Sequence, residues 1–370
     1  MIILSLKKNN RLQKIYSAKH VFNGQEFLKD HAVVVNEGIV SEILPIEHLA
    51  GLKVNFHSEY IAPSFIDAQI YGARNKLFSA YPSPETLQLM YEHCRENGTS
   101  QFLPTVATNT EEVVLKCIDA VREYWKIGGK GVLGLLLEGP WINPIKRGAH
   151  VENLIRCPTP IDVGQLLEKG KGVIKMITLA PEVCSKEVIE LILSYGIIIS
   201  AGHSNAKFTQ ATDAFDNGIT AVTHLFNAMS AFHHRDVGLP GAAFQHNLVM
   251  ASIIADGYHV DFTALKIARQ LMGGRLFLIT DAVTETSEGL YQHVKEENYY
   301  TSGGILSGSS LTMLKAIQNC YFKASIDLRE CLRMASLYPA KMLGLKTGIL
   351  EKGSMADFIL LNENIELMQG

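Results

Sequence analysis

The 370-residue sequence lacks a surplus of positive charge, paired cysteines and any long apolar run. Its formal net charge of −3 speaks against a general affinity for nucleic acid, which needs Lys and Arg in excess on one face. An anionic ligand would therefore have to be held by a local cluster. The six cysteines, Cys94, Cys117, Cys157, Cys184, Cys320 and Cys331, are scattered, with no CxxC pair among them. In a chain of this size they read as reduced, mostly buried thiols, and so point to a reducing compartment. No apolar stretch approaches the length that crosses a bilayer, which excludes an integral membrane helix. The opening MIILSLKKNN has neither a charged leader nor a cleavage site, so a signal peptide is not expected. Together these absences make the cytoplasm the expected location, with no nucleic-acid or membrane partner.

What is present is an ordinary globular composition, 47% hydrophobic and 19% charged. The length suits one barrel of roughly 250 residues plus a smaller domain. Residues 1 to about 60 hold short β-prone runs, KIYSAKHVF and HAVVVN, broken at Asn23-Gly24 and Glu37-Gly38 by turn signals. The segment GILEKGSMADFILLN returns to that style near the other end. A small β-sandwich domain built from both chain ends, residues 1–60 and 345–370, is the economical expectation.

Between them, eight apolar runs alternate with segments of helical character, at 61–69, 100–108, 131–139, 174–182, 196–204, 219–227, 248–257 and 275–283. Continuous apolar strands separated by helices imply a parallel sheet covered on both faces. Eight of them predict an α/β fold, a (β/α)8 TIM barrel over 61–344.

Polar residues fall in a telling place. Asp67 with Gln69, Glu138, His203, His224, Asp256 with His259, and Asp281 lie at or just beyond the C-terminal ends of different predicted strands. In a barrel those ends converge on the face that carries chemistry. Glu138, His203 and His224 form the candidate metal set, because one carboxylate and two imidazoles with an open fourth position is an arrangement that catalytic zinc adopts. Such an ion brings the pKa of a water it binds to about 7. Taken singly, a His after a strand is more often a hydrogen-bonded structural residue. Three such ligands at separate strand ends reverse those odds. Asp281 is the candidate general acid/base, against the alternative of a helix N-cap.

The segments LLLEGPWINPIKRGAHVENLIR (135–156) and AGHSNAKFTQATDAFDNGITAVTHLFNAMSAFHHRDVGLPGA (201–242) closely resemble the N-acetylglucosamine-6-phosphate deacetylase family of metal-dependent amidohydrolases. IADGYHVD, LITDAV, LSGSSLTM and the late GxLxxGxxAD resemble it too, in order and spacing. The resemblance implies hydrolysis of the N-acetyl group of N-acetylglucosamine 6-phosphate. It implies one divalent metal ion, zinc first, with iron or another divalent ion compatible. Glu138, His203 and His224 match the family's metal ligands and Asp281 its acid/base. His150, beside Ala149, matches the group that polarises the acetyl carbonyl. Asn227 and Ala228 match substrate contacts, Arg235 and His259 phosphate contacts, and Leu306, Ser307 and Gly308 a loop lining the sugar. Asp256 joins the substrate-binding set through its neighbour His259. A homodimer is implied, since a phosphate-binding residue of the family comes from the neighbouring subunit. No GxxxxGK[ST] loop is present, so capture of a phosphate falls to side chains such as Arg235.

Two positions depart from wider patterns. Where many superfamily members carry HxH, this chain has Asp67-Ala68-Gln69, as in the single-metal branch, and Gln69 is expected to hydrogen-bond the attacking water. Two residues further on stands Tyr71, where that branch usually has Asn. Tyr71 keeps open the same chemistry on N-acetylgalactosamine 6-phosphate or another N-acyl or cyclic amide. A non-catalytic sugar-phosphate binder is the rival from another class, and the intact Glu, His, His and Asp set disfavours it.

Overall fold

The computed structural model describes residues 13–49 and 52–368, so the opening MIILSLKKNN lies outside the described residues. The chain divides into two compact units, one up to Ile66 and from Ile326 onward, the other Asp67–Ser325. In the first, five strands form a sheet in the order Phe358–Leu361, Phe56–Pro63, Gln13–Phe22, Phe27–Asn36 and Ile39–Pro45. Both chain ends thus contribute to one sheet, as expected. Alternation sets its two faces: Val33 and Val35 pack with Ala18 and Ile61, while Ala32 and Val34 pack with Ile15 and Leu44. The Glu37-Gly38 signal is a two-residue turn, with both φ angles positive (51° and 77°) between the paired Asn36 and Ile39.

The second unit holds the barrel apart from the first two residues of its first strand. Its strands are β1 (Phe65–Ile70), β2 (Thr99–Ala107), β3 (Leu135–Glu138), β4 (Ile174–Leu179), β5 (Ile198–Ala201), β6 (Ala221–Val222), β7 (Met250–Ile254) and β8 (Leu276–Ile279). They neighbour one another in sequence order, and each of the eight expected runs overlaps one. Parallel pairing runs from β2 through β8. Helices separate them for the reasons the sequence suggests. Pro84–Glu96 starts at Ser83, whose hydroxyl caps Thr86 N–H, has proline in its first turn, and buries Leu87, Met90 and Cys94 on one face.

The ring closes where β1 meets the segment after β8. Ile70 bridges Ala282 in parallel, Asp281 N–H donates to Gln69 O at 3.0 Å, and Tyr71 N–H donates to Ala282 O at 2.9 Å. Asp67 clasps the same seam, accepting from Gln69 N–H (3.2 Å) and from both the N–H (3.1 Å) and hydroxyl of Thr280. Even so, burial pushes the Asp67 carboxyl up to about 6. Below the C-terminal face the interior is filled by hydroxyls, Thr223 Oγ1 lying 2.8 Å from Thr178 Oγ1 and 2.6 Å from Ser200 Oγ. The six cysteines are free thiols, four of them buried. Among the described residues no helix is long and apolar enough to cross a membrane.

Candidate active site

Glu138 is the last residue of β3, while His203, His224, Asp256 and Asp281 each stand two residues beyond β5, β6, β7 and β8. Three of these, His203, His224 and Asp281, have positive φ angles of 47°, 33° and 53°. A left-handed backbone is costly for a non-glycine residue, and such strain gathers at functional sites. Here it turns the chain sharply at the strand end.

The side chains meet at one point. Glu138 Oε1 lies 3.1 Å from His224 Nε2 and 3.4 Å from His203 Nε2, and the two ring nitrogens are 3.1 Å apart. All three residues are at most 5% exposed. Glu138, His150 and His203 also bring ligand atoms within 4.8 Å of one another, so two candidate sets share two members. Hydrogen bonding decides between them. His203 Nδ1 faces the carbonyl of Lys146 at 2.9 Å and must donate to it, which leaves the Nε2 lone pair free for an ion. His150 Nδ1 instead accepts from the backbone N–H of Thr108 at 3.3 Å, so the proton of its neutral ring is on Nε2. That nitrogen, 3.2 Å from Glu138 Oε2, is a donor and not a ligand. The set that fits a divalent cation is Glu138, His203 and His224, one carboxylate oxygen and two imidazoles.

The charges agree. Burial opposes ionisation of Glu138, yet the electrostatic influence of His203 and the close contacts with His150, His203 and His224 hold its carboxyl well below the usual range. Burial and then the neighbouring His203 lower His150 to about 4, so its ring is neutral at pH 7 and its Nε2–H stays in place. Asp281 is driven the other way. Burial, then the negative charges of Glu138, Asp67 and Asp256, raise its carboxyl well above the usual range. A buried carboxyl beside a cation site, able to hold a proton or release it, is suited to acid/base work. Gln69 ties the two carboxylates together, its amide nitrogen 2.8 Å from Asp281 Oδ1 and 3.0 Å from Glu138 Oε1.

Above the cluster opens a cavity of about 310 Å3. Glu138, His150, His203, His224 and Asp281 form its floor. Ala149, Asn227, Ala228, His259, Leu306 and Ser307 line the rest, together with Tyr71. His259 is aimed by Asp256, which accepts its Nδ1–H at 2.5 Å and the Tyr258 and His259 backbone N–H groups at 2.8 Å. Arg235 is not brought in: it sits on the exposed stretch 231–236, outside the cavity lining. The segment of Leu306, Ser307 and Gly308, expected as a loop, is a strand, Ile305–Ser309, at the edge of a three-stranded antiparallel sheet. Its Ser309 N–H donates to Asp281 O at 3.0 Å. At Gly308 a Cβ would come within 3.0 Å of that same Asp281 carbonyl, so only glycine lets the strand approach. Sequence reasoning did not find Thr108 or the Lys146 carbonyl, which set the two tautomers. Backbone donors and acceptors carry no residue signature, so no motif could have marked them.

Residues 60–369 match the amidohydrolase family. The N-acetylglucosamine-6-phosphate deacetylase of Haemophilus influenzae is 32% identical over 363 residues, 94% of this chain and 95% of the relative. The N-acetylgalactosamine-6-phosphate deacetylase of Shewanella sp. (strain ANA-3) is also 32% identical, over 91% of this chain and 92% of the relative. The crystal structure of N-acetylglucosamine-6-phosphate deacetylase from Pasteurella multocida superposes with a TM-score of 0.90 at 29% identity, covering 96% of this chain and 97% of that one.

Proposed function

Since the chain belongs to the amidohydrolase family and, within it, to the N-acetylglucosamine-6-phosphate deacetylases, we propose that it hydrolyses N-acetyl-D-glucosamine 6-phosphate to D-glucosamine 6-phosphate and acetate. The observation that carries this reading is the convergence of Glu138, His203 and His224 with Asp281 and a neutral, donor-bearing His150 on one cavity floor. A divalent ion, zinc before iron or another, held by Glu138, His203 and His224 supplies Lewis acidity and makes water a competent nucleophile near neutral pH.

The chain's own residues divide the remaining work. Asp281 takes a proton from the attacking water and delivers it to the departing amine, so that one water is consumed and acid and amine result. His150 donates its Nε2–H to the acetyl oxygen as negative charge builds there. Gln69 keeps Asp281 and Glu138 in register. Ala149, Asn227, Ala228, Leu306, Ser307 and Gly308 shape the sugar's surroundings, and His259, aimed by Asp256, meets the 6-phosphate with Arg235. The exposed position of Arg235 suits a homodimer in which the phosphate end is completed across subunits. The free thiols suit the cytoplasm.

The galactosamine epimer is the second reading, favoured by the equal 32% identity to relatives of both names. Acetate release from the two 6-phosphates and from unphosphorylated N-acetylglucosamine tests both. A preference for the glucosamine 6-phosphate supports the first reading and a preference for its epimer the second. Release from none of them would contradict the deacetylase assignment.

A further inference from the structure

One buried polar group at the site has no part in the proposed reaction. Tyr71 is 8% exposed and its hydroxyl sits against the ligand carboxylate. It donates to Glu138 Oε2 and accepts from Gln69 Nε2 at 2.8 Å. His150 Nε2 reaches the same Oε2 at 3.2 Å, so both lone-pair directions of that oxygen face donors. The other oxygen, Oε1, looks toward His203 and His224.

We propose that Tyr71 is a positioning residue that holds Glu138 as a one-oxygen ligand and fills with hydrogen-bond donors the place where a second cation could share that carboxylate. The proposal rests on the ligand set assigned above. A carboxylate with both oxygens free can chelate one ion or bridge two. Bridging requires a lone pair on Oε2 and acceptor atoms near the end of β1. Here that end presents the Gln69 amide N–H groups and the Tyr71 O–H, and donors repel a cation. Partners that fix a metal ligand's orientation commonly change affinity by about 10- to 100-fold when removed.

The test uses the full-length protein stripped of metal by a chelator and titrated with cobalt(II). The readouts are ions bound per chain by mass spectrometry, affinity by competition, and the visible absorption of the bound cobalt. The wild type should hold one ion. Tyr71→Phe, which keeps the ring and its packing, should weaken binding about 10- to 100-fold and lower the visible band as Glu138 turns to bind through both oxygens. Tyr71→His, which replaces the donor with a ligand, should admit a second ion per chain. Wild-type affinity and spectrum in Tyr71→Phe, together with one ion in Tyr71→His, would overturn the role of Tyr71 while leaving the ligand set standing. A wild-type protein that binds no cobalt, or a Glu138→Ala variant that binds it as tightly, would overturn the ligand set itself.

Discussion

The floor of the cavity and the exposed stretch 231–236 are built in different ways. On the floor, Glu138, His150, His203, His224 and Asp281 are between 2% and 7% exposed, and each touches another of the group or Gln69. On the stretch 231–236, outside the cavity lining, Arg235 is exposed, and its backbone N–H reaches His233 Nδ1 at 3.3 Å. The contrast follows the work each region is assigned. Groups that move protons or steady developing charge act best when fixed in a dry, low-dielectric site before the substrate arrives. A guanidinium that recognises a phosphate brings its own charge and fork, and it can find its partner on binding. Damage to the floor should therefore appear in kcat and damage at Arg235 in KM.

The largest effect is expected at Asp281. Asp281→Asn cannot accept a proton, and kcat should fall by about 10²- to 10⁴-fold with metal content unchanged. Initial rates and metal analysis on the same sample check it. Near-normal turnover would remove Asp281 from its role. His150→Ala deletes one donor to the acetyl oxygen, and a loss of about 10²- to 10³-fold in kcat is expected. A loss confined to KM would move His150 from the floor's chemistry to binding. Arg235→Ala should raise KM for the 6-phosphate about 10-fold, the scale of one hydrogen bond to a charged group, and leave the unphosphorylated sugar unaffected. Equal effects on both sugars would show that Arg235 does not meet the phosphate.

The smallest effect concerns the seam beneath the floor. The Asp67 carboxyl is near 6 when folded and about 3.9 when unfolded, so the native state binds the extra proton. Its contribution is most favourable at low pH and declines as pH rises through 6, by about 1 kcal/mol between pH 5 and pH 7. Asp67→Asn removes that titration. The stability difference between wild type and variant, from denaturant unfolding, should shift toward the variant by this amount over the same interval. A difference independent of pH would place the Asp67 carboxyl in the ordinary range.

The barrel was legible because its strands are apolar runs of a few residues that polar residues interrupt at one end. Those interruptions are Glu138, His203, His224 and Asp281, so reading the strands also marked side chains that the fold gathers around one cavity. Strand β6 is only two residues long, yet the run at 219–227 marked its place. The strand holding Leu306 and Ser307 was missed because LSGSS is rich in turn formers. The preceding Gly303-Gly304, with φ of 57° and 77°, is the turn of a hairpin pairing Ser302 with Ile305 and was the available signal. The contact of Tyr71 with Glu138 joins residues 67 positions apart, which no local pattern encodes. Motifs named Arg235, but a motif does not say whether a side chain reaches a cavity.

The central claim is that hydrolysis needs the ion that Glu138, His203 and His224 are arranged to hold. Acetate release from N-acetylglucosamine 6-phosphate, followed while chelator strips the protein and a divalent ion is then returned, tests it most directly. Turnover should fall in step with metal content and recover as about one ion per chain is restored. Undiminished turnover in protein freed of metal would contradict the account.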